Sequence, residues 1–295
     1  MAHFSPSARQ VAKIVASYPA EPAPGLHVMR PFPGPELDTL DPFLMLDDFG
    51  PTQIAAGSSG GLNPHPHRGF ETVTIMLEGA MEHHDSTGNR GVIRPGDVQW
   101  MTAASGIVHA EYHEKEFAQR GGTLHGIQLW VNLPARNKFD APGYQDLPRQ
   151  KIPVIEQGGA RLHLIAGEMN GTKGAARTHT PLLVVRIECS QAADVIIPIA
   201  ENFNAAIYVI AGSMELPGGR AATARQLALL AGHGLTANPT KGDVSIHAAP
   251  GTTLLLLAGE AINEPVVSHG PFVMNTRAEI SQAIQDYQMG KMGRL

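Results

Sequence analysis

Cysteine is almost missing from this chain: Cys189 is the single one in 295 residues, so no intramolecular disulfide can brace the fold. Its place at the end of the alternating series Leu183, Val185, Ile187, Cys189 reads as a small buried hydrophobe. Charge is also sparse. Asp, Glu, Lys and Arg make up 17% of the residues against 43% hydrophobic, which is too little charge for a disordered chain and enough apolar material for a core. No run of Lys or Arg occurs and the formal net charge is -5, so direct binding of nucleic acid is not expected. Long hydrophobic runs are missing too: the stretch Thr253 to Ala258 is far too short to span a bilayer. The opening Met-Ala-His-Phe-Ser-Pro-Ser has no basic region followed by an apolar one. A soluble, cytoplasmic protein without a membrane partner is the expectation.

Glycine and proline, at 32 and 23 residues, are plentiful and spread along the chain, which points to many turns. Between them lie short β-rich runs: Val11 to Val15, Leu26 to Met29, Thr72 to Leu77, Val98 to Met101, Gly126 to Asn132, Leu182 to Ile187, Ala206 to Ile210, Gln226 to Leu230 and Thr253 to Ala258. That spacing suits sandwiches or barrels. One helix is predicted at the end, where Thr276-Arg-Ala-Glu279 forms a capping box and Ile280, Ala283, Ile284 and Tyr287 follow at helical spacing. A weak repeat divides the chain. Thr72-Val-Thr-Ile-Met-Leu-Glu-Gly79 followed by Ala80-Met81-Glu82 is echoed by Ala205-Ala-Ile-Tyr-Val-Ile-Ala-Gly212 followed by Ser213-Met214-Glu215. Two similar β domains are therefore expected, residues 1–148 and 149–295, with Leu133 to Pro148 as an ordered connector and the helix belonging to the second.

Nine of the fourteen histidines precede residue 126, which places the chemistry in the first half. In an extended chain His65 and His67 of Asn63-Pro-His-Pro-His-Arg-Gly-Phe-Glu71 point to one side. His109 and Glu111 of Gly106-Ile-Val-His-Ala-Glu111 do the same. Together they offer three nitrogens and one oxygen, a set that fits one divalent transition metal: Fe(II), Mn(II), Cu(II), Ni(II) or Zn(II). A lone histidine is more often a surface or hydrogen-bonded residue, but two spaced pairs in a β context favour a ligand set. Glu71 is a rival carboxylate, since simple alternation puts it on the face of His67, although a bulge at Arg68-Gly69 would turn it aside. His83, Asp85, His113 and His125 are candidates to orient a ligand, and Phe70, Trp100, Met101 and Trp130 to line an apolar pocket. The second half holds His163, His179, His233, His247 and His269 with no paired spacing, so no metal is expected there.

The stretches Leu40-Asp-Pro-Phe-Leu-Met-Leu-Asp-Asp-Phe-Gly-Pro51, His65-Pro-His-Arg-Gly-Phe-Glu-Thr-Val73, Arg94-Pro-Gly-Asp-Val-Gln-Trp-Met-Thr-Ala103, Gly106-Ile-Val-His-Ala-Glu111 and Gln128-Leu-Trp-Val-Asn-Leu133 resemble the pirin family of the cupin superfamily, as does His269-Gly-Pro-Phe-Val-Met-Asn275. The resemblance implies an all-β bicupin, two tandem cupin barrels with a short C-terminal helix. It maps the metal ligands onto His65, His67, His109 and Glu111, with Fe(II) the first candidate, and leaves Glu71 outside the set. It further implies a quercetin 2,3-dioxygenase-type oxidoreductase that takes a small aromatic, flavonol-like substrate and O2, with Glu111 also the catalytic proton acceptor. The alternative it carries is a metal-dependent regulatory protein that binds a protein partner. A monomer is expected.

Overall fold

A computed structural model describes residues 3–231 and 242–295. The chain is mostly β, and its strands divide between two compact units. The first gathers Pro19–Val28, Phe43–Arg149 and Ile262–Leu295; the second gathers the residues up to Tyr18, Met29–Pro42 and Gln150–Ala261.

Each unit is a seven-stranded sheet facing a four-stranded one. In the first unit the large sheet runs Gly143–Leu147, Val98–Thr102, Phe70–Glu78, Gly122–Asn132, Phe43–Ile54 and two further strands. Its small sheet runs Gly61–His67, Ile107–His113, Met81–Asp85, Arg90–Ile93. In the second unit the orders are Val11–Ala16, Gln226–Leu230, Phe203–Ala211, Thr252–Glu260, Leu182–Cys189 and two more, then Ala193–Ile197, Val244–Ala248, Ser213–Leu216, Arg220–Thr223. The two orders match place by place. The internal repeat is thus a repeat of topology: the strand Phe70–Glu78 and its echo Phe203–Ala211 hold the same position.

The alternating runs become strands because β-branched and aliphatic side chains at every second position can bury one face. In the second unit Leu183, Val185, Ile187 and Cys189 enter one core with Val195, Ile197, Ile207, Val209, Ile246 and Leu254. Cys189 is buried there, and burial pushes its thiol pKa up, as befits a packed hydrophobe.

Four features differ from the sequence expectation. Val11–Ala16 pairs with Gln226–Leu230 of the second unit, so the first strand does not belong with residues up to 148. The helix is where the capping box puts it, at Arg277–Gln288, with Thr276 Oγ1 accepting from Glu279 N at 3.2 Å and Glu279 Oε2 accepting from Thr276 N at 2.8 Å. It packs, however, in the first unit, where Ile280 and Ala283 share a cluster with Val108, Phe272, Met274 and Met292. The stretch Leu133 to Pro148 is more than a connector: Gly143–Leu147 pairs in register with Val98–Thr102. A short helix at Lys115–Arg120 has no apolar period in sequence; Glu114 caps it by accepting from Phe117 N at 2.9 Å. Among the described residues no helix is long and apolar enough to cross a membrane.

Candidate metal centre

Gly61–His67 is the edge strand of the small sheet, a position where Pro64 and Pro66 cost no ladder bond to a second neighbour. It pairs antiparallel with Ile107–His113, His65 opposite His109 and His67 opposite Ile107. Alternation then aims all three imidazoles at the space between the sheets. Their ring centroids are 4.8 Å (His65–His67), 4.3 Å (His65–His109) and 4.9 Å (His67–His109) apart. One donor atom from each lies within 4.8 Å of the others, and this is the only such group of three or more His, Cys, Asp or Glu among the described residues.

Several observations show that the group fits a metal ion. Burial lowers the pKa of all three imidazoles; His67, further opposed by the charge of His65, falls to about 3, and His109 is held well below its usual value by burial and then by His67, His65 and His83. They are neutral near pH 7, as ligands must be. His65 Nδ1 is 2.8 Å from the Asn63 carbonyl. With the proton assigned to Nδ1, that bond leaves the Nε2 lone pair free for a ligand role. His67 Nδ1 and both nitrogens of His109 are buried and find no hydrogen-bond partner among the described residues. Buried polar atoms left in that state cost stability unless something else occupies them.

Glu111 lies on the same strand face as His109 but outside the tight group of imidazoles. A register shift between His109 and Glu111 sets it opposite Leu62 on one side and His83 on the other. It is buried, and burial alone raises its carboxyl pKa to about 7. Glu71 points elsewhere. It sits opposite Thr102 and Val131 in the large sheet, whereas Phe70, its neighbour on the other face, packs edge-on against His67 at 5.2 Å. Thr102 Oγ1 donates to Glu71 Oε1 at 2.7 Å. The turn at Arg68-Gly69, with Gly69 at φ +89°, breaks the alternation that would have brought Glu71 to the histidines.

The large sheet supplies the facing wall. Trp130 lies 5.4 Å from His67 and stacks obliquely on Phe70 at 4.2 Å. Met101 is paired with Thr72 and Tyr144 on that same face, while Trp100, paired with Val73 and Gln145, points away. Tyr144 stacks on His83 at 4.8 Å and 28°. Burial, with the charges of Asp85, Glu111 and Asp146, pushes its phenol pKa up. Both His83 nitrogens are buried without a partner among the described residues. Reading the sequence missed Tyr144, since nothing in the breaker-rich stretch around it signals an inward-facing strand.

The remaining candidates have local tasks. Asp85 Oδ1 closes a turn by accepting from Thr87 N and Oγ1 at 2.6 Å each. His113 packs edge-on to Phe117, and His125 meets Asp48 at 2.8 Å. In the second unit His163 pairs with Glu188 at 2.9 Å and His247 with Asp194 at 2.6 Å. His179 and His269 are not in any donor group among the described residues, and His233 lies outside the described residues.

With the geometry established, similarity to known proteins is informative. Residues 25–131 match the family model described as Pirin, and residues 184–293 match that of the Pirin C-terminal cupin domain. A pirin-like protein of Solanum lycopersicum is 42% identical over 97% of this chain and 93% of its own length. The pirin of Homo sapiens is 40% identical over 97% of this chain and 95% of its own. Among solved structures, a quercetin 2,3-dioxygenase from Acinetobacter baumannii superposes with a TM-score of 0.89 at 36% identity, covering 97% of this chain and 99% of that one.

Proposed function

The chain belongs to the pirin family, a bicupin family, and we propose that it is a metal-dependent dioxygenase that opens a flavonol-like enolic substrate with O2. The observation that carries this reading is the convergence of three imidazoles, with the buried Glu111 on the strand of His109. The fold-wide likeness to a quercetin 2,3-dioxygenase supports it.

In this reading His65, His67, His109 and Glu111 hold one divalent metal, with Fe(II) first among the candidates. When bound, the metal supplies a Lewis acid that binds the enolic oxygen and makes the substrate electron-rich toward O2. The protein does the rest. His65, fixed through Nδ1 by the Asn63 carbonyl, and the buried His67 and His109 present lone pairs without a competing proton. Trp130 and Phe70 offer flat apolar faces beside His67 for an aromatic ring. Glu111, a ligand in the resting site, takes the substrate hydroxyl proton once its carboxylate is released from that role. Overall, one O2 adds across the flavonol C-ring, carbon monoxide leaves, and a depside results.

The test is to incubate iron-, manganese-, copper- or nickel-loaded protein with quercetin, following loss of its visible absorbance together with O2 uptake. Coupled loss of both, absent in the metal-free protein, is the expected result. Protein that keeps its metal and turns over nothing would contradict the enzyme reading and favour a regulatory protein that binds a partner.

A further inference from the structure

The last thirty-four residues come from the far end of the sequence but pack in the unit that carries the histidines. They reach both ligand-bearing strands. At the first, Arg68 directly follows His67. Its Nη1 donates to Asp286 Oδ2 of the terminal helix at 2.9 Å, and its Nε donates to the Ser105 carbonyl at 2.6 Å; the two ionic side chains are only 6% and 12% exposed. The main chain is tied as well. Val273 N donates to the Arg68 carbonyl at 3.0 Å and Arg68 N to the Pro271 carbonyl at 3.3 Å. Lys138 Nζ binds the Gly69 carbonyl at 2.6 Å, Asn132 Oδ1 at 2.7 Å and the Val273 carbonyl at 3.0 Å. Gly69 cannot be replaced there, because a Cβ would fall on the Val273 carbonyl. The Pro271 carbonyl also lies beside the His67 ring.

At the second strand the contact is apolar with one polar relay. Val108, next to His109, packs with Phe272, Met274, Ile280, Ala283 and Met292. Val108 N donates to Ser86 Oγ at 3.2 Å, and Ser86 Oγ donates to the Met292 carbonyl at 2.8 Å. Gly106 leaves room for the Met292 side chain. Apart from the Pro271 carbonyl at the His67 ring, these contacts sit one to three residues from His67 or His109 and leave the rings themselves alone.

We propose that residues 262–295 are a clamp that sets the spacing of His67 and His109 for metal binding, with Asp286, acting through Arg68, as its positioning residue. The proposal rests on the metal reading above. Breaking a buried ion pair from one side leaves Arg68 uncompensated and frees the backbone that follows His67. Groups that orient a ligand from outside the ligand set are worth about ten- to a hundredfold in metal affinity.

The test uses full-length apoprotein titrated with Co(II) against a chromophoric chelator, with the visible spectrum of the Co(II) form and the melting temperature of the apoprotein read in parallel. For Asp286→Ala an affinity loss of about tenfold or more and a changed Co(II) spectrum are expected, and Asp286→Asn falls between it and the parent. Lys291→Ala removes another partner of Asp286, at 2.9 Å, that has no hydrogen bond or ion pair to either ligand strand among the described residues; it should leave affinity and spectrum unchanged. If Asp286→Ala does not fold, Asp286→Asn carries the comparison. A lowered melting temperature with parental Co(II) affinity and spectrum would overturn the clamp while leaving the metal reading intact. A parent that takes up no Co(II) would overturn both.

Discussion

In the first unit the edge strand Gly61–His67 turns His65 and His67 into the space between the sheets. The strand in the same place of the second unit, Ala193–Ile197, turns Val195 and Ile197 inward. Next to it, His109 and Glu111 on Ile107–His113 correspond by strand to Val244, Ile246 and Ala248, and His83 on Met81–Asp85 to Met214 and Leu216. One topology thus has two fillings. The aliphatic filling closes the second interior into a continuous core in which each large side chain contributes roughly 1.5–3 kcal/mol. The polar filling of the first leaves ring nitrogens of His67, His83 and His109 unpartnered among the described residues, at roughly 1–3 kcal/mol for each such group. The difference teaches that the fold does not need the histidines. Their cost to stability is what the proposed metal site would account for.

The contrast can be broken by exchanging the fillings. Ile246→Glu puts a carboxyl into a cluster of buried aliphatic side chains and should cost roughly 4 kcal/mol or more. Urea denaturation followed by circular dichroism reads this directly. A loss of less than about 1 kcal/mol would mean that the second interior is as tolerant of charge as the first.

The reverse exchange sharpens it. Glu111 has a folded-state pKa of about 7 against 4.5 as its ordinary value. A carboxyl raised in this way is fully compatible with the fold below pH 4.5, and stability is lost as pH rises through 7. In apoprotein, Glu111→Gln should therefore match the parent near pH 4 and exceed it by up to about 3 kcal/mol above pH 7. The neighbouring imidazoles oppose this trend in both proteins. Their depressed pKa values, about 3 for His67, remove stability as pH falls below 6.5 toward the folded value. Melting the two apoproteins side by side from pH 4 to 8 cancels the shared histidine contribution. A difference that shrinks with rising pH would refute the burial argument for Glu111.

The sequence was most legible where structure is periodic. His65 and His67, like His109, announce themselves by two-residue spacing, because a strand turns every second residue to the same face. The aliphatic runs of the second unit declare a core for the same reason, and the Thr276–Glu279 box marks its helix through purely local bonds. What stayed hidden depends on partners distant in the chain. Val11–Ala16 alternates no differently from any other strand, and only its pairing with Gln226–Leu230 assigns it to the second unit. Tyr144 gains its place beside His83 through a strand whose sequence reads as loop. Arg68 and Asp286 are 218 residues apart, and neither carries a local sign that they meet behind His67.

The central claim is that one metal ion belongs to the first interior and none to the second. Elemental analysis of full-length protein purified without added metal tests it most directly, comparing the parent with His67→Ala, His109→Ala and His247→Ala. One transition-metal ion per chain is expected in the parent and in His247→Ala, and almost none in His67→Ala and His109→Ala. Unchanged metal in both of the first-unit variants, or its loss in His247→Ala, would contradict the account.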